Sequence, residues 1–120
     1  MASSNSPLIS NRFPYLPLTL TVQGGSLNVE AILDTGFDGE VVIPQYTLPP
    51  WVTPDGLIDW TMANGATVQA SAYSGTVLIG HFGPFNVTIS SMGNVALIGR
   101  ALTDLFTIIL DHGKQVIVTL

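Results

Sequence analysis

Cysteine is absent from the chain, which rules out disulfides and thiolate metal sites. Basic residues are nearly absent as well. Arg12, Arg100 and Lys114 are the only three, set against eight acidic residues for a net charge of -5. Nucleic acid and anionic membrane surfaces are therefore not expected as partners, because binding phosphates needs several Lys or Arg side chains. Long apolar runs are missing too: Val95–Ile98 and Ile108–Leu110 fall far short of the ~20 residues of a spanning helix. Met1–Ser10 has neither the basic nor the apolar region of a secretory signal, so a cytoplasmic location is the expectation. His81 and His112 have no neighbours at metal-ligand or triad spacing, and neither metal nor cofactor is expected. Asn86-Val87-Thr88 matches a glycosylation acceptor, but it lies inside an alternating strand and reads as chance.

What the chain does have is apolar content. Apolar residues make up 47% of 120 residues and charged ones 9%, enough for one domain with a core. So little charge also implies that part of the apolar surface lies in a subunit interface.

Period-two alternation dominates. Residues 1–12, rich in Ser and Asn, are expected to form a flexible arm, with one domain over 13–120. Leu18, Leu20 and Val22 alternate with Thr19, Thr21 and Gln23, and Gly24-Gly25 turns the chain into Leu27, Val29, Ala31 and Leu33. Val41–Ile43 is a short β-branched run stopped by Pro44, and Pro49 to Gly56 reads as loop. Asp59–Ala63 and Ala66–Ala72 flank Asn64-Gly65, a pair suited to a type I′ turn. Further strands are expected at Thr76–Ile79, Phe85–Ile89, Val95–Ile98, Thr107–Leu110 and Gln115–Thr119, the last two joined by Asp111-His112-Gly113-Lys114. Arg100–Phe106 is the only expected helix, and no internal repeat is visible. The chain reads as all-β.

Chemistry concentrates at Asp34-Thr35-Gly36. An apolar strand, Ala31-Ile32-Leu33, ends at a carboxylate, followed by a hydroxyl that can lock a turn and a glycine that permits close approach. Alone, the triplet is equally a common turn. A second element follows at Leu97-Ile98-Gly99-Arg100, ahead of Ala101-Leu102. The two together resemble the retropepsin-like aspartic proteases, and in particular the small single-domain bacterial type carrying Asp-Thr-Gly-Phe. The likeness extends from about Pro17 to Val118. It implies a closed, β-barrel-like fold with a flap hairpin tipped by Asn64-Gly65 and one short C-terminal helix, active as a homodimer.

That resemblance also implies site residues. Asp34 would be catalytic, with Thr35 bonding across the two-fold axis and Gly36 presenting backbone to substrate. Phe37, Asp38, Asn64, Gly65, Leu97 and Ile98 would contact the substrate, while Gly99 and Arg100 would be structural, Arg100 folding back onto Asp38. In the family two aspartates share one proton and one water, since two such close carboxylates cannot both ionise. Asp38 and Asp111 lack the following Thr-Gly, so the second catalytic Asp must come from a second copy. The substrate would be an extended peptide or protein segment. Phe37 is bulkier than the small residue retroviral members place there, which implies a narrower pocket. Trp60, Met62, Val68 and Tyr73 either line the cleft or pack. A dimeric, peptide-binding adaptor with the same fold is the alternative, although a scaffold gains nothing from a carboxylate at a dry interface.

Overall fold

The computed structural model describes residues 6–120. Its elements are β1 (Leu8–Ser10), β2 (Tyr15–Val22), β3 (Gly25–Leu33), β4 (Val41–Ile43), a 3-10 turn at Gln45–Thr47, β5 (Gly56–Thr61), β6 (Thr67–Ile79), β7 (Phe82–Ser91), β8 (Leu97–Ile98), α1 (Arg100–Thr103), β9 (Thr107–Asp111) and β10 (Gln115–Thr119). The protein is mostly β, and no helix among the described residues is long and apolar enough to cross a membrane.

Alternation drives the first hairpin. Leu16, Leu18, Leu20 and Val22 of β2 are all buried, while the residues between them are not. Its turn is centred on Gln23-Gly24, with φ of 48° and 81°, so Gly25 pairs with Val22 and already belongs to β3. The β9–β10 connection also carries a positive-φ pair, His112-Gly113, closed by Lys114 N–H donating to the Asp111 carbonyl at 2.9 Å, although Asp111 pairs with Gln115 and three residues join the strands. Both fit the positive-φ pair of a type I′ turn.

The β5–β6 turn departs from that expectation. Met62 and Ala66 are bridged by a backbone hydrogen bond of 2.8 Å, and Gly65 N–H donates to the Met62 carbonyl at 2.9 Å. Gly65 has φ of 85°, whereas among the described residues only Gln23 and His112 reach positive φ without being glycine. The connection is a three-residue loop with one left-handed glycine. Asn64 instead accepts the Ala66 N–H on its side-chain oxygen at 2.9 Å, a local bond that competes with the two-residue turn.

Two sheets result. One has the order β1-β10-β9; the other runs β2-β3-β8-β4-β7-β6-β5, with β2 also paired to β6. β1 corrects part of the expected arm: Leu8, Ile9 and Ser10 pair with Val118, Ile117 and Val116. Residues 1–5 of that arm lie outside the described residues. The Ser- and Asn-rich composition hid an apolar strand whose Leu8 packs on the core. The helix is shorter than Arg100–Phe106. After Thr103 the chain tightens into i→i−3 bonds, Leu105 to Leu102 and Phe106 to Thr103, because the Phe106 ring turns in to meet Phe82 and Phe85 at 5.3 and 5.8 Å.

The arrangement that matters most places β8 between β3 and β4, parallel to one and antiparallel to the other. Only two residues long, β8 is held on both sides, and its Ile98 is fully buried.

Candidate functional site

Asp34 is the first residue beyond β3. Its N–H donates to the Ile98 carbonyl at 3.0 Å, continuing the β3–β8 ladder by one step. The chain then turns sharply. Phe37 N–H donates to the Asp34 carbonyl at 3.2 Å, and Gly36 N–H donates to Asp34 Oδ1 at 3.0 Å. A carboxylate accepting a bond from its own turn is held in one orientation. Asp34 is half-buried, while Thr35, Gly36 and Asp38 are exposed.

Three further backbone bonds fasten this loop to the start of α1: Gly99 to Glu40 at 2.9 Å, Arg100 to Phe37 at 2.8 Å and Ala101 to Gly39 at 3.1 Å, donor named first. Such closeness requires a glycine at 99. A Cβ there would lie 2.3 Å from the Gly39 carbonyl oxygen and 2.8 Å from that of Phe37. The two motifs therefore form one rigid backbone unit.

Beside Asp34 lies a groove of about 280 Å³, whose walls include Gly36, Phe37, Asp38, Trp60, Met62 and Leu97. Trp60 is the next-to-last residue of β5, and its indole N–H donates to the buried Ser90 Oγ at 3.0 Å. An apolar recess of about 290 Å³ shares Met62, Met92 and Leu97 with the groove and adds Val42, Val68 and Val95. Thr35 faces a separate recess of about 200 Å³, with Leu33, Thr103, Phe106, Ile108 and Leu110.

Sequence expectations fare unevenly here. Asp34, Gly36, Phe37, Asp38 and Leu97 come together around the groove. Asn64 and Gly65 sit at the exposed hairpin tip and do not line it. Ile98 belongs to the core, not to the groove wall, because its side chain alternates to the face opposite Leu97. Arg100 does not pair with Asp38. It reaches Asp104 at 3.5 Å, one helical turn away, with both side chains more than half exposed. The first turn of α1 brings Asp104 within range, whereas the Phe37 carbonyl already holds the Arg100 backbone. Tyr73 is core; Trp60, Met62 and Val68 line the cavities. Met92 was missed, since nothing local marks the residue just after β7 as a wall of this groove. Among the described residues, no three His, Asp or Glu side chains gather as a metal-ligand set.

By sequence, no family model and no curated protein matches the chain. By structure, it is similar to the crystal structure of a retropepsin-like aspartic protease from Rickettsia conorii, with a TM-score of 0.59 and 17% identity over 94% of this chain and 89% of that one. The fold is retropepsin-like. Within that retropepsin-like frame, the Asp34 loop is bonded to the Gly99 backbone, and residues 60–63 of the β5–β6 hairpin line the groove.

Proposed function

We propose that the chain is an aspartic endopeptidase that works as a homodimer, each copy contributing Asp34. The observation that carries this reading is the placement of Asp34: a half-buried carboxylate at a strand end, oriented by Gly36 N–H, beside a groove that residues of the β5–β6 hairpin also line. The strand pairings, with β2 joined to β6 as well as β3, suit a closed, barrel-like protease body. The hairpin takes the role of flap, and an extended peptide lies between it and the Asp34 loop, adding as a strand.

Hydrolysis then needs two carboxylates. With one proton between them, the ionised one takes a proton from water as it attacks the peptide carbonyl, and the protonated one donates to the developing oxyanion. The face for the second copy is the one carrying Thr35. Ile108 and Leu110 share its recess, and β9 next to it is a sheet edge. Ile109 and Leu110 are about half exposed there, at 49% and 55%, and β9 has no Lys or Pro to discourage pairing.

Asp34→Asn tests the reading, since the amide matches the carboxylate in size but cannot act as base. Peptide-library digestion across acid to neutral pH should show cleavage by wild type and loss of at least about a thousandfold in the variant. Substantial turnover by a pure, folded Asp34→Asn protein would remove Asp34 from the mechanism. Peptide binding without cleavage by wild type would make the protein an adaptor.

A further inference from the structure

Phe37 is a large, half-buried aromatic residue in the Asp34 loop. Its ring meets Trp60 edge-to-face, with centroids 4.8 Å apart and planes at 67°. That geometry is a favourable one for an aromatic pair. The space for it exists because two neighbours have no side chain. A Cβ on Gly39 would lie 2.3 Å from Phe37 Cζ and 2.6 Å from Trp60 Cη2, and a Cβ on Gly99 would lie 2.5 Å from Phe37 Cδ2. Trp60 is anchored from behind by its bond to Ser90. The ring pair is thus seated among fixed groups, and both rings line the groove that contains Asp34.

Phe37 belongs to the Asp34 loop and Trp60 to the β5–β6 hairpin, so their contact joins the two elements along one side of the groove. Away from the ring pair, the groove shares Met62, Met92 and Leu97 with the apolar recess. Methionine is unbranched and adaptable, so that side can yield to different apolar shapes, while the aromatic side cannot.

We propose that Phe37 and Trp60 form a specificity-determining wall, which directs the substrate residue next to the scissile bond into the Met62–Met92 recess and excludes residues too broad to pass the wall. This rests on the peptidase reading of the same site. The residue accepted is apolar, because the recess walls supply no charged group, and of aliphatic rather than indole breadth, because the seated ring pair bounds the groove.

The test compares wild type with Phe37→Ala on peptides differing only in that residue: Ala, Leu, Phe or Trp. Wild type should favour Leu. Phe37→Ala should raise kcat/KM for the Trp peptide relative to the Leu peptide at least about tenfold. Phe37→Leu, which keeps most of the volume, should shift the ratio less and serves if the alanine variant does not fold. A folded variant with the wild-type ranking would overturn the wall while leaving the peptidase reading untouched. If wild type cleaves none of the peptides, the peptidase reading fails, and direct binding decides the wall. The chain has two tryptophans, so in a Trp51→Phe background Trp60 fluorescence alone reports binding of the Ala, Leu and Phe peptides, and the Trp peptide is ranked by calorimetric titration. Equal selectivity of the wild-type and Phe37→Ala forms in that measurement would overturn the proposal.

Discussion

Asp34 and Ile98 are joined by a backbone hydrogen bond of 3.0 Å, the N–H of the first donating to the carbonyl of the second. Two segments distant in sequence meet there as neighbouring strands, and the carboxylate inherits the rigidity of a sheet. The bond also orders the chemistry that follows. Any change that moves β8 moves Asp34.

Gly99→Ala should show how tightly the two segments are locked. Its methyl group would collide with backbone oxygen at 2.3 Å, and backbone cannot step aside as a flexible side chain can. A loss of about 3 kcal/mol is expected from urea unfolding. Gly56→Ala is the control, because nothing lies within 4 Å of its added Cβ. It should stay within about 1 kcal/mol of wild type, on the stabilising side. Equal behaviour of the two variants would contradict the close approach at Gly99.

Arg100→Ala should be nearly silent. Its pair with Asp104 is 3.5 Å long, with both side chains more than half exposed, so water already screens it. The expected loss is less than about 0.5 kcal/mol by thermal melt. A loss of several kcal/mol would point instead to a buried partner such as Asp38.

Association should respond to acid if two Asp34 carboxylates meet in a dimer. Two carboxylates brought into contact cannot both stay ionised, so association is coupled to holding one proton between them. Mass action then favours the dimer as pH falls and weakens it toward neutrality. Sedimentation at about pH 4.5 and 7.5 measures this, and Asp34→Asn should lose most of the difference. The same pH dependence in both proteins would place its origin elsewhere.

Asp111 offers a local titration. Its carboxylate receives bonds from the His112 ring at 2.6 Å and from the Gln115 amide at 2.8 Å, and these hold its pKa below the ordinary aspartate value, the His112 bond contributing most. A lowered folded-state pKa means a stabilising contribution that is present above the unfolded value and lost as pH falls through the folded one. His112→Gly suits the positive φ there and should move the Asp111 titration, followed by carboxyl NMR, up toward the ordinary value. An unmoved curve would assign the effect to Gln115.

The sequence by itself determined whatever depends on residues close along the chain. Leu16, Leu18, Leu20 and Val22 must share one face because strand side chains alternate, so the first hairpin was legible. Asp34-Thr35-Gly36 at the end of an apolar strand was legible as a turn bearing a carboxylate, and Gly99 as a structural residue, through its resemblance to a known pattern. Tertiary structure decided the rest. Leu8–Ser10 became a strand only because β10 was there to pair with it, and Arg100 took Asp104 because α1 placed it nearer than Asp38. The Phe37–Trp60 wall and the position of Met92 depend on which strands lie side by side. Local patterns dictate which face of a strand is apolar, but contacts between distant elements depend on sheet order and register, which no window along the chain contains.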